Sequence, residues 1–570
     1  MITEYSRGRQ DQVKILHATA RDGVPIRNVG IVNVPTVGPL DVPPPNGRWR
    51  GKTMPTSMSL FSAQLHPGRA LGFLVLGASL HDVLTRLKAE PQRFPKIDVV
   101  HSTERPVKDP VCIVLPQNGM RLRFDGPEQR LRLIEITDFT KNHITFKDRD
   151  LVRLPNSASD PGSPIPGESS SGPTFRHIYQ RLLGPTYAGE FIPASSSSGQ
   201  GMGIYVLSYP GVAFNFPMAA SAYSPDKDVV SLLSAASSQV ATSMAVFSGN
   251  SWADARPTLW TKVLPSIKSS TVFPRSKDVY PDEVSLVQIY GGGKLQMFRK
   301  WTSSGFCIQL GQTTPQELVM ELGPPNAIYR KNDEKMDVHQ GRAADASRGR
   351  SDSANVGRAD EAMTDTDQSS MNTGSDDSDN EVVTEEDSSG NPSGECFYNY
   401  FYMGFDVLLS KPTEPSKAPP GQQNGTLDPM VVKMHHPDRL VVNKIVLHGN
   451  IPGSYEFNRH RRCRWEIAYP GREDEAVTSE MEFEHVEALM NQTWESELPG
   501  GKSQTRQRGM VLNRGWGNSP GSSCEFLGGW EESGARRAET NSDSTTTLYG
   551  FPGLVFEVLK NGYINTVTIF

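Results

Sequence analysis

The pattern of hydrophobic and polar positions is clearest at the end of the chain, where it predicts a β-hairpin. Residues 554–559 and 563–569 alternate apolar and polar side chains as paired strands do, and the Asn-Gly pair at 561–562 is typical of a two-residue type I′ turn. Such a turn would place Val558 opposite Asn565 and gather the apolar side chains on one face. Because an isolated hairpin is only marginally stable in water, we expect further strands or a helix to cover that face.

The same phrase, a glycine followed directly by a strand-like run, recurs upstream of this hairpin. Each copy places the glycine at a turn and continues with strand-forming residues. Four copies indicate that the chain contains internal duplication. The copies are residues 119–124, 211–216, 404–409 and 553–558.

A second repeated phrase predicts a strand that leads into a capped helix. It occurs at 74–79, before LHDVLTRL, and at 308–313, before TPQELVMEL. Ser79 is followed three residues later by an acidic residue, as a capping pair requires. Thr314 begins a fuller signal, with proline at the first helical position and Glu317 at the third.

Composition limits how much of the chain can form packed core. The 570 residues include 51 glycines and 43 prolines, and 36% are hydrophobic, so we expect the ordered part to be considerably shorter than the chain. The net charge of -6 is mild, and no apolar run approaches the roughly 20 residues needed to span a bilayer. The cysteines form no CxxC pair and follow no secretory signal, which favours reduced thiols in a cytosolic protein. They are Cys112, Cys307, Cys396, Cys463 and Cys524.

These patterns predict an α+β protein of about four repeated units, each a helix with an antiparallel sheet in two layers, interrupted by long disordered inserts. Segments rich in Ser, Pro, Gly and acidic residues mark the inserts. The predicted units are 65–155, 156–300, 301–450 and 451–570, and residues 1–64 form a weakly ordered extension. The predicted disordered inserts are 331–395, 411–438 and 500–547.

The acidic insert has a composition that suits regulation by phosphorylation. Within it, SDDSDNEVVTEED at 375–387 places acidic residues just after serines, which is the pattern that acidophilic kinases recognise. Phosphorylation here is a hypothesis, and an intact mass of the protein purified from its host without added phosphate would refute it.

Arginines are concentrated in two places that could form an interaction surface. The first is a hairpin with a turn at 125–128, whose first strand puts Leu122 and Phe124 on one side and arginines on the other. These arginines would contact an acidic partner, or else belong to a solvated face that carboxylates such as Glu135 neutralise. They are Arg121, Arg123, Arg130 and Arg132.

The second concentration is the segment NRHRRCRWEI at 458–467. Strand alternation would turn Cys463, Trp465 and Ile467 inward and leave arginines displayed on the outside. Such a display would suit an acidic partner, phosphoinositide headgroups or RNA. The alternative is that the arginines pair with carboxylates of this chain. They are Arg459, Arg461, Arg462 and Arg464.

Motif searches favour no catalytic, cofactor or metal site. GNSPG at 517–521 matches a nucleophile elbow by its letters, but a proline follows the serine, so a hydrolase built on Ser519 is only an alternative hypothesis. The GGGK run at 291–294 lacks the GxxxxGK[ST] spacing and predicts a hairpin turn. His460 and Cys463 could supply two metal ligands, but no second pair stands at a suitable spacing.

Several longer phrases, taken in order, resemble one family. They include LHPGRALGFLVLGASLHDVLTRL, NGMRLRFDGPEQRLRLIEITDF, CFYNYFYMGFDVLL, NKIVLHGNIPGSYEFNRHRRCRWEI and GFPGLVFEVLKNGYINTVTIF. The series is similar to that of the phagosome assembly factor family and covers most of 65–333, 395–409, 441–467 and 548–570. The extension before Leu65 and the long inserts depart from the compact members, so Met54 or Met58 is an alternative start.

The resemblance implies a non-enzymatic adaptor of autophagy that needs no cofactor. Members look like the subunit that pairs with a WD-repeat propeller protein of the breast carcinoma-amplified sequence 3 type. The partner would supply phosphoinositide binding, so the chain would be cytoplasmic, recruited to the phagophore assembly site and only peripherally associated with membrane. The alternatives are a Golgi-linked trafficking adaptor and a peripheral phosphoinositide-binding protein. No nucleic acid and no small-molecule substrate is expected.

Overall fold

The structure is a computed structural model, and it describes part of the chain in detail. The acidic segment 375–387 and Ser519 lie outside the described residues, as does most of each predicted insert. The described residues are 29–34, 60–152, 172–187, 189–193, 202–234, 239–264, 282–302, 304–330, 394–412, 439–468, 476–495, 509–513 and 545–570.

The described residues form two halves that are rich in strands. The strands of the first half are β1 Val29–Val34, β2 Phe61–His66, β3 Ala70–Leu71, β4 Leu74–Val75, β5 Ile97–Ser102, β6 Val111–Leu115, β7 Met120–Phe124, β8 Leu131–Ile136, β9 Asn142–Phe146, β10 Arg149–Asp150, β11 Glu190–Pro193, β12 Met202–Tyr209, β13 Val212–Ala219 and β14 Ser243–Phe247. The strands of the second half are β15 Val284–Tyr290, β16 Lys294–Arg299, β17 Gly305–Gln309, β18 Ala327–Arg330, β19 Cys396–Tyr400, β20 Phe405–Ser410, β21 Val441–His448, β22 Trp465–Ile467, β23 Val477–Thr478, β24 Met510–Asn513, β25 Thr545–Phe551, β26 Leu554–Val558 and β27 Ile564–Ile569.

Helices are fewer and mostly short. None of those in the described part of the chain is long and apolar enough to cross a membrane. They are α1 Leu80–Ala89, α2 Phe175–His177 (continued by a π-helical turn, Ile178–Leu182), α3 Val229–Ser234, α4 Trp252–Ala255, α5 Pro315–Leu322 and α6 Phe483–Glu495.

The strand order of the first half is repeated in the second. The first half has a large sheet ordered β1-β5-β6-β7-β8-β14-β13-β12-β11 and a small one ordered β10-β9-β2-β3-β4. The second half has a large sheet ordered β18-β19-β20-β21-β27-β26-β25-β24 and a small one ordered β17-β16-β15-β22-β23. Apart from β1, each strand number plus 13 gives its counterpart, as β5 gives β18 and β14 gives β27. In each small sheet the central pair, β2 with β9 or β15 with β22, is parallel.

The mixed α+β class agrees with the prediction, but the predicted count of about four repeated units is not confirmed. Each half contains two of the four glycine-strand phrases. Residues 119–124 of the first half and 404–409 of the second belong to the counterpart strands β7 and β20. Residues 211–216 and 553–558 likewise belong to β13 and β26. One repeat therefore contains two copies of the phrase, since each large sheet uses two such turns.

The two longer helices after a small-sheet strand begin where the capping residues predict. The Ser79 side chain accepts a hydrogen bond from the Asp82 backbone N–H at the start of α1. Thr314 and Glu317 form a reciprocal capping box at the start of α5, with Pro315 at the first helical position. Each cap satisfies backbone donors that a helix start otherwise leaves unpaired.

Each half has its own apolar core, and a small apolar cluster joins them. The first core lies between the sheets of the first half and α1, and the second includes α5 and α6 together with the strands of the second half. Between the halves, Val107 packs with Ile451, Leu559 and Tyr563. The outer face of the first large sheet is also covered, because Leu133 and Phe247 pack against Trp252 of α4. β8 is consequently buried on both faces.

The final hairpin forms as predicted, but its turn differs. Leu554 pairs with Ile569 as predicted, whereas Val558 pairs with Ile564 instead of Asn565. Gly562 adopts a positive φ of 81°, whereas Asn561 is not among the residues of positive φ, so the turn is not type I′. The loop has one more residue than predicted, and a β-bulge at Asn565 restores the register further along.

Two further strands lie in segments predicted to lack order. β1 forms at the edge of the first large sheet by pairing with β5, within the predicted weakly ordered extension 1–64. β24 pairs with β25 at the edge of the second large sheet, within the predicted insert 500–547. The composition of the long surrounding segments hid both strands, although each strand is itself mostly apolar: β1 reads VGIVNV and β24 reads MVLN.

Two counterpart glycines offer a test of how tightly the repeats are packed. Gly211 and Gly553 have similar positive φ values, 81° and 74°. A Cβ on Gly211 would lie 2.0 Å from the backbone N of Gly68, whereas a Cβ on Gly553 would meet nothing closer than 3.5 Å. We expect Gly553→Ala to lose about 1 to 2 kcal/mol from the left-handed conformation alone. Gly211→Ala should lose about 1 to 3 kcal/mol more, because backbone must move to relieve the overlap.

Urea unfolding followed by circular dichroism measures both losses. Equal losses for the two variants would show that the close approach of the Gly211 and Gly68 backbones does not constrain the fold.

Candidate functional site

The arginines of the first hairpin are largely occupied by neighbouring carboxylates. Arg123 Nε on β7 lies 2.9 Å from Glu135 Oε2 on β8, and Arg121 is half-buried on the same face. Arg132 is buried, and its Nε lies 2.6 Å from Asp125 Oδ2. The alternative interpretation, neutralisation by local carboxylates, is therefore confirmed for Arg123, and Arg132 is not at the surface at all.

Arg130 points away from solvent and into the other half of the molecule. It shares the Glu283 carboxylate with Arg461: Arg130 Nη1 lies 2.7 Å from Oε2, and Arg461 Nη1 lies 3.1 Å from Oε1. Arg461 Nη2 also lies 2.5 Å from Asp82 Oδ2, at the start of α1. Two arginines and two carboxylates, one of each from either half, thus meet in a buried cluster.

Arg462 is the most deeply buried of the predicted surface arginines, with 1% of its side chain exposed. Its Nε donates to the carbonyl of Pro127 in the first half, at 2.8 Å. Its Nη1 and Nη2 donate to the carbonyls of Gly449 and Ser479, at 2.8 and 3.3 Å. Glu480 Oε1 lies 3.8 Å from Nη2 and supplies the counter-charge. The guanidinium therefore joins three separate segments of the chain.

Lys300 and Arg464 continue the same line of charges towards solvent. Both approach Glu128 of the first half, with Lys300 Nζ at 2.8 Å from Oε2 and Arg464 Nη1 at 3.7 Å from Oε1. Arg464 Nε also lies 2.7 Å from Glu480 Oε1. About a third of the Arg464 side chain is exposed, so this end of the line lies at the surface.

We call this set of charges the junction, because it lies between the two halves. Neutral contacts extend it: the Gln129 and Asn450 side chains bond to each other at 2.9 Å, and His81 Nε2 donates to the carbonyl of Arg459 at 3.2 Å. The charged residues of the junction are Asp82, Glu128, Arg130, Glu283, Lys300, Arg461, Arg462, Arg464 and Glu480.

The predicted outward display of Arg462 is wrong, and so is the surface placement of Arg130, Arg132 and Arg461. Alternation correctly buries Cys463, but regular strand structure begins only at Trp465. The side expected to face water is covered by the first half of the chain. Alternation along one strand cannot reveal such a cover, because it comes from residues more than 300 positions away.

The junction carboxylates depend on their arginine neighbours to stay ionised. Burial raises the pKa of Glu480, and the attraction of Arg462 and Arg464 more than offsets this, so that the pKa ends below its usual value. Burial likewise raises the pKa of Glu128, and Lys300 together with Arg130 and Arg464 more than offsets this, so that the pKa ends below its usual value. The same balance, with Arg461 as the principal cation, places the pKa of Asp82 far below its ordinary range.

A second buried polar cluster lies in the second half, between β20, β21 and the segment 449–464. Asp406 Oδ2 lies 2.9 Å from His448 Nε2, and its Oδ1 lies 2.9 Å from His460 Nε2. Asn399 Nδ2 donates to the same Oδ1 at 2.9 Å. The two imidazole rings stack, with centroids 3.7 Å apart and planes 7° from parallel. One carboxylate thus orients two histidines side by side.

The charge states of this cluster follow from its contacts. Burial raises the pKa of Asp406, but the two histidines and their hydrogen bonds bring it far below its usual value, so the carboxylate is ionised. Burial and the neighbouring His448 lower the pKa of His460 to about 4, so its imidazole is neutral at pH 7. Since an ionised carboxylate can only accept, the facing Nε2 atoms carry the hydrogens.

The opposite side of the two rings borders a small cavity. The cavity has a volume of about 10 Å³, which is about enough for one water molecule. His460 Nδ1 is buried and has no hydrogen-bond partner among the residues that the structure describes, and His448 Nδ1 lies 3.7 Å from Glu456 Oε2. The lining residues are His448, Asn450, Glu456, His460 and Asn565.

The sequence pattern found one member of this cluster but not its partners. His460 was paired with Cys463 as a candidate, yet the Cys463 thiol lies against the carbonyl of Arg464, at 3.9 Å. The actual neighbours, Asp406 and His448, precede His460 by 54 and 12 residues in separate strands. No spacing rule links them. The GGGK run, by contrast, forms the predicted turn between β15 and β16.

Replacing Arg462 with methionine tests whether the junction is structural. Arg462→Met leaves three buried carbonyls without their donor and Glu480 with one cation fewer, so we expect a loss of about 3 to 5 kcal/mol in the free energy of unfolding. The matched control is Arg93→Met, whose exposed side chain pairs with Glu90 at 2.8 Å. That variant should change stability by less than about 1 kcal/mol. If Arg462→Met and Arg93→Met both changed the urea unfolding free energy by the same small amount, Arg462 would not be a buried structural residue.

Acid should weaken the junction through its carboxylates. Since the folded-state pKa values of Glu128 and Glu480 are lowered, the unfolded state takes up protons first as pH falls below about 4.5. The stability they contribute is present above that pH and is lost on further acidification. We expect urea midpoints to fall between about pH 4.5 and pH 3.

The Glu480→Gln variant separates this contribution from other titrating groups. It should be less stable than the natural protein at pH 7 and lose less stability over the same acid interval. Parallel pH curves for the two proteins would mean that Glu480 is not the carboxylate that the arginines hold ionised.

Comparison with known proteins places this architecture among its relatives. The chain is 23% identical over 525 residues to the PHAF1 protein of Arabidopsis thaliana, covering 90% of this chain and 94% of the relative. It is 22% identical over 519 residues to the PHAF1 proteins of Drosophila melanogaster and of Caenorhabditis elegans, covering 87% of this chain and 90% of each. None of the solved structures matches the chain significantly. The family model for phagosome assembly factor 1 matches residues 70–354 and 428–570, well over half of the sequence, and the chain therefore belongs to the phagosome assembly factor 1 family.

Proposed function

We propose that this chain is a non-enzymatic scaffold in autophagy that pairs with a WD-repeat propeller protein and is recruited with it to the forming phagophore. The observation that carries the proposal is the family match, because the family is described as a phagosome assembly factor and its model covers both halves of the chain. Relatives in a plant, an insect and a nematode align over nearly their whole length. The complete two-half architecture, rather than one catalytic segment, is then the functional unit.

The junction supports a scaffolding role. A scaffold must hold its binding surfaces in a fixed relation, and buried charge pairs between the halves would do this because any sliding separates charges that are out of water. Arg461 and Arg462 each contact both halves, through Asp82 and Pro127 respectively. Arg461 and Arg462, which the sequence suggested as partner contacts, therefore act inside the scaffold, and we look for the partner contact on another surface.

An apolar surface at one edge of the second large sheet is our candidate for that contact. We call it the edge surface and define it by Met320 on α5, Ile328 on β18 and Tyr402 after β19. Their exposed fractions are 84%, 56% and 41%. The segments are neighbours: β18 pairs with β19, and the Tyr402 N–H donates to Asn326 Oδ1 at 3.4 Å. The Tyr400 hydroxyl on β19 also donates to the carbonyl of Gly323, which follows α5, at 3.3 Å. Within the described residues β18 pairs on one side only, so its other backbone edge can accept a strand.

A charge placed in the edge surface should weaken the complex. Ile328→Glu puts a carboxylate where we expect an apolar contact to be desolvated, so the Kd for the WD-repeat partner should rise about tenfold or more. Surface plasmon resonance with purified partner and full-length chain measures this. The fold should be unaffected, because the Ile328 side chain is more than half exposed.

The opposite edge of the same sheet supplies the matched control. Val511 on β24 is 67% exposed, and Val511→Glu makes the same chemical change at the other edge strand. It should leave the affinity within a factor of about two. If Val511→Glu weakened the complex and Ile328→Glu did not, the contact would lie at β24 instead of the edge surface.

The broader proposal is tested by purifying the tagged chain from its own cells, fed and starved. A WD-repeat protein that co-elutes in a one-to-one ratio is the expected result. Recovery of the chain without any such protein in either condition would overturn the scaffold proposal, whichever edge is mutated.

A further inference from the structure

The repeat between the two halves indicates how the edge surface binds a partner. We propose that the partner adds one extended strand to the second large sheet, antiparallel to β18, in the place that β1 takes beside β5 in the first half. The centre of the added strand consists of β-branched apolar residues. This inference rests on the proposed function and specifies the mode of binding.

Among the described strands, only β1 has no counterpart in the repeat. β5 and β18 occupy the same place in their sheets, and each pairs with the next strand of the sheet, β6 or β19. The other edge of β5 is occupied, because β1 pairs antiparallel with it. No described strand pairs with the other edge of β18. At this edge the second half is therefore one strand short of the first.

Val99 of β5 and Ile328 of β18 hold the same register position. Val99 pairs with Ile113, and Ile328 pairs with Tyr398. Ile113 and Tyr398 each stand two residues before the end of their strand, β6 or β19. Val99 also stands opposite Val32 of β1 and is buried, whereas Ile328 is 56% exposed. The position is covered in the half that has the additional strand and open in the half that lacks it.

The helices show the same difference. Leu84 of α1 and Val319 of α5 are both the fifth residue after the residue that caps their helix. Leu84 is buried, whereas 38% of Val319 is exposed and Met320 beside it is largely exposed. Four residues separate the end of α5 from the start of β18. Exposed apolar side chains and an open strand thus lie in neighbouring segments of the second half.

The backbone of β18 presents hydrogen-bonding groups at its open edge. The Asn326 N–H donates to the carbonyl of Asn399 at 2.9 Å, so the polar groups of Asn399 face β18. Ala327 pairs with Asn399 and therefore faces back towards β19. Because the polar groups of successive residues point to opposite edges of a strand, the N–H and C=O of Ile328 point to the open edge. Such groups are a template for a further strand.

The occupant we infer is an extended segment of a partner protein. In the first half the residues opposite the centre of β5 are Ile31 and Val32, which are β-branched and suit a pleated, half-buried position. The segment of this chain that joins β18 to β19, residues 331–395, contains no isoleucine, leucine or aromatic residue. It is therefore a poor source for such a strand. Strand addition by a partner gives main-chain hydrogen bonds together with side-chain specificity.

Two substitutions at Ile328 in the full-length chain separate strand addition from side-chain docking. Ile328→Pro removes the outward N–H, and an edge strand tolerates proline where the nitrogen faces away from the sheet. Ile328→Val keeps the N–H and has the same number of side-chain carbons as proline. In surface plasmon resonance with purified partner, Ile328→Pro should raise the Kd about tenfold or more. Ile328→Val should raise it by no more than about threefold.

Cys307→Pro controls for the effect of proline itself. The Leu310 N–H donates to the carbonyl of Gly293, so alternation points the N–H of Cys307 away from β16, at the edge of the small sheet. The Cys307 side chain is exposed. This variant should keep the affinity of the natural chain. Circular dichroism of each variant shows whether it is folded.

Hydrogen exchange of the natural chain supplies a readout that does not depend on any variant. The amide of Ile328 should exchange rapidly in the free chain and at least about tenfold more slowly in the complex, because strand addition bonds its N–H. Docking of apolar side chains alone does not bond this amide.

Two results would overturn strand addition and leave the scaffold proposal standing. The first is equal affinity of folded Ile328→Pro and Ile328→Val, with no slowing of exchange at Ile328 in the complex. The second is an Ile328 amide that is already protected in the free chain, in which case another segment of this chain or a second copy fills the edge; gel filtration distinguishes these two. Failure of the scaffold proposal is a separate result, because no partner would then co-elute with the natural chain.

Discussion

The structure depends on a line of opposite charges between its two halves, which is buried around Arg461 and Glu283 and partly exposed at Glu128 and Arg464. Asp82 and Glu128 of the first half face Arg461 and Lys300 of the second, and Arg130 reaches across in the opposite direction to Glu283. Removing such charges from water costs several kcal/mol per ion, so each must meet its partner in one geometry. Among the described residues the apolar cluster that joins the halves has four members, and Phe457 of the second half also packs against the first core. Electrostatic pairing adds to these apolar contacts a geometric requirement on how the two halves dock.

The repeated strand order explains why such a junction is needed. Each half has a large sheet, a small sheet with a central parallel pair, and a helix that follows the small sheet, so each buries its own core. Among the described strands, none belongs to sheets of both halves, so the halves meet through other contacts. The segment 449–464 provides several of these, since it carries Arg461 and Arg462 to the first half, and it also brings His460 to Asp406. One irregular segment thereby serves both the junction and the histidine cavity.

The placement of the arginines bears on where this chain contacts a partner. A basic run at 459–464 suggests a role in binding lipid or an acidic partner, yet Arg461 and Arg462 within it are buried and paired with groups of this chain. Apolar residues at the edge of the second large sheet, such as Ile328, are exposed instead. The burial of these arginines could not be predicted from alternation along one strand. It is the reason that we propose an apolar rather than a charged contact with the partner.

The sequence by itself determined the local structure of this protein. Ser79 and Thr314 predict helix starts because a helix cap forms between residues no more than four positions apart. The hairpins at 121–136 and 554–569 follow from the alternation of apolar and polar residues and from glycines at turns. Only the tertiary structure decided what those elements face. Arg462 is buried because the first half covers it, and Asp406, His448 and His460 meet because the segment after β21 folds back over β20. The physical reason is range: caps and turns are satisfied by neighbours in sequence, whereas the partner of a buried charge can lie anywhere in the chain.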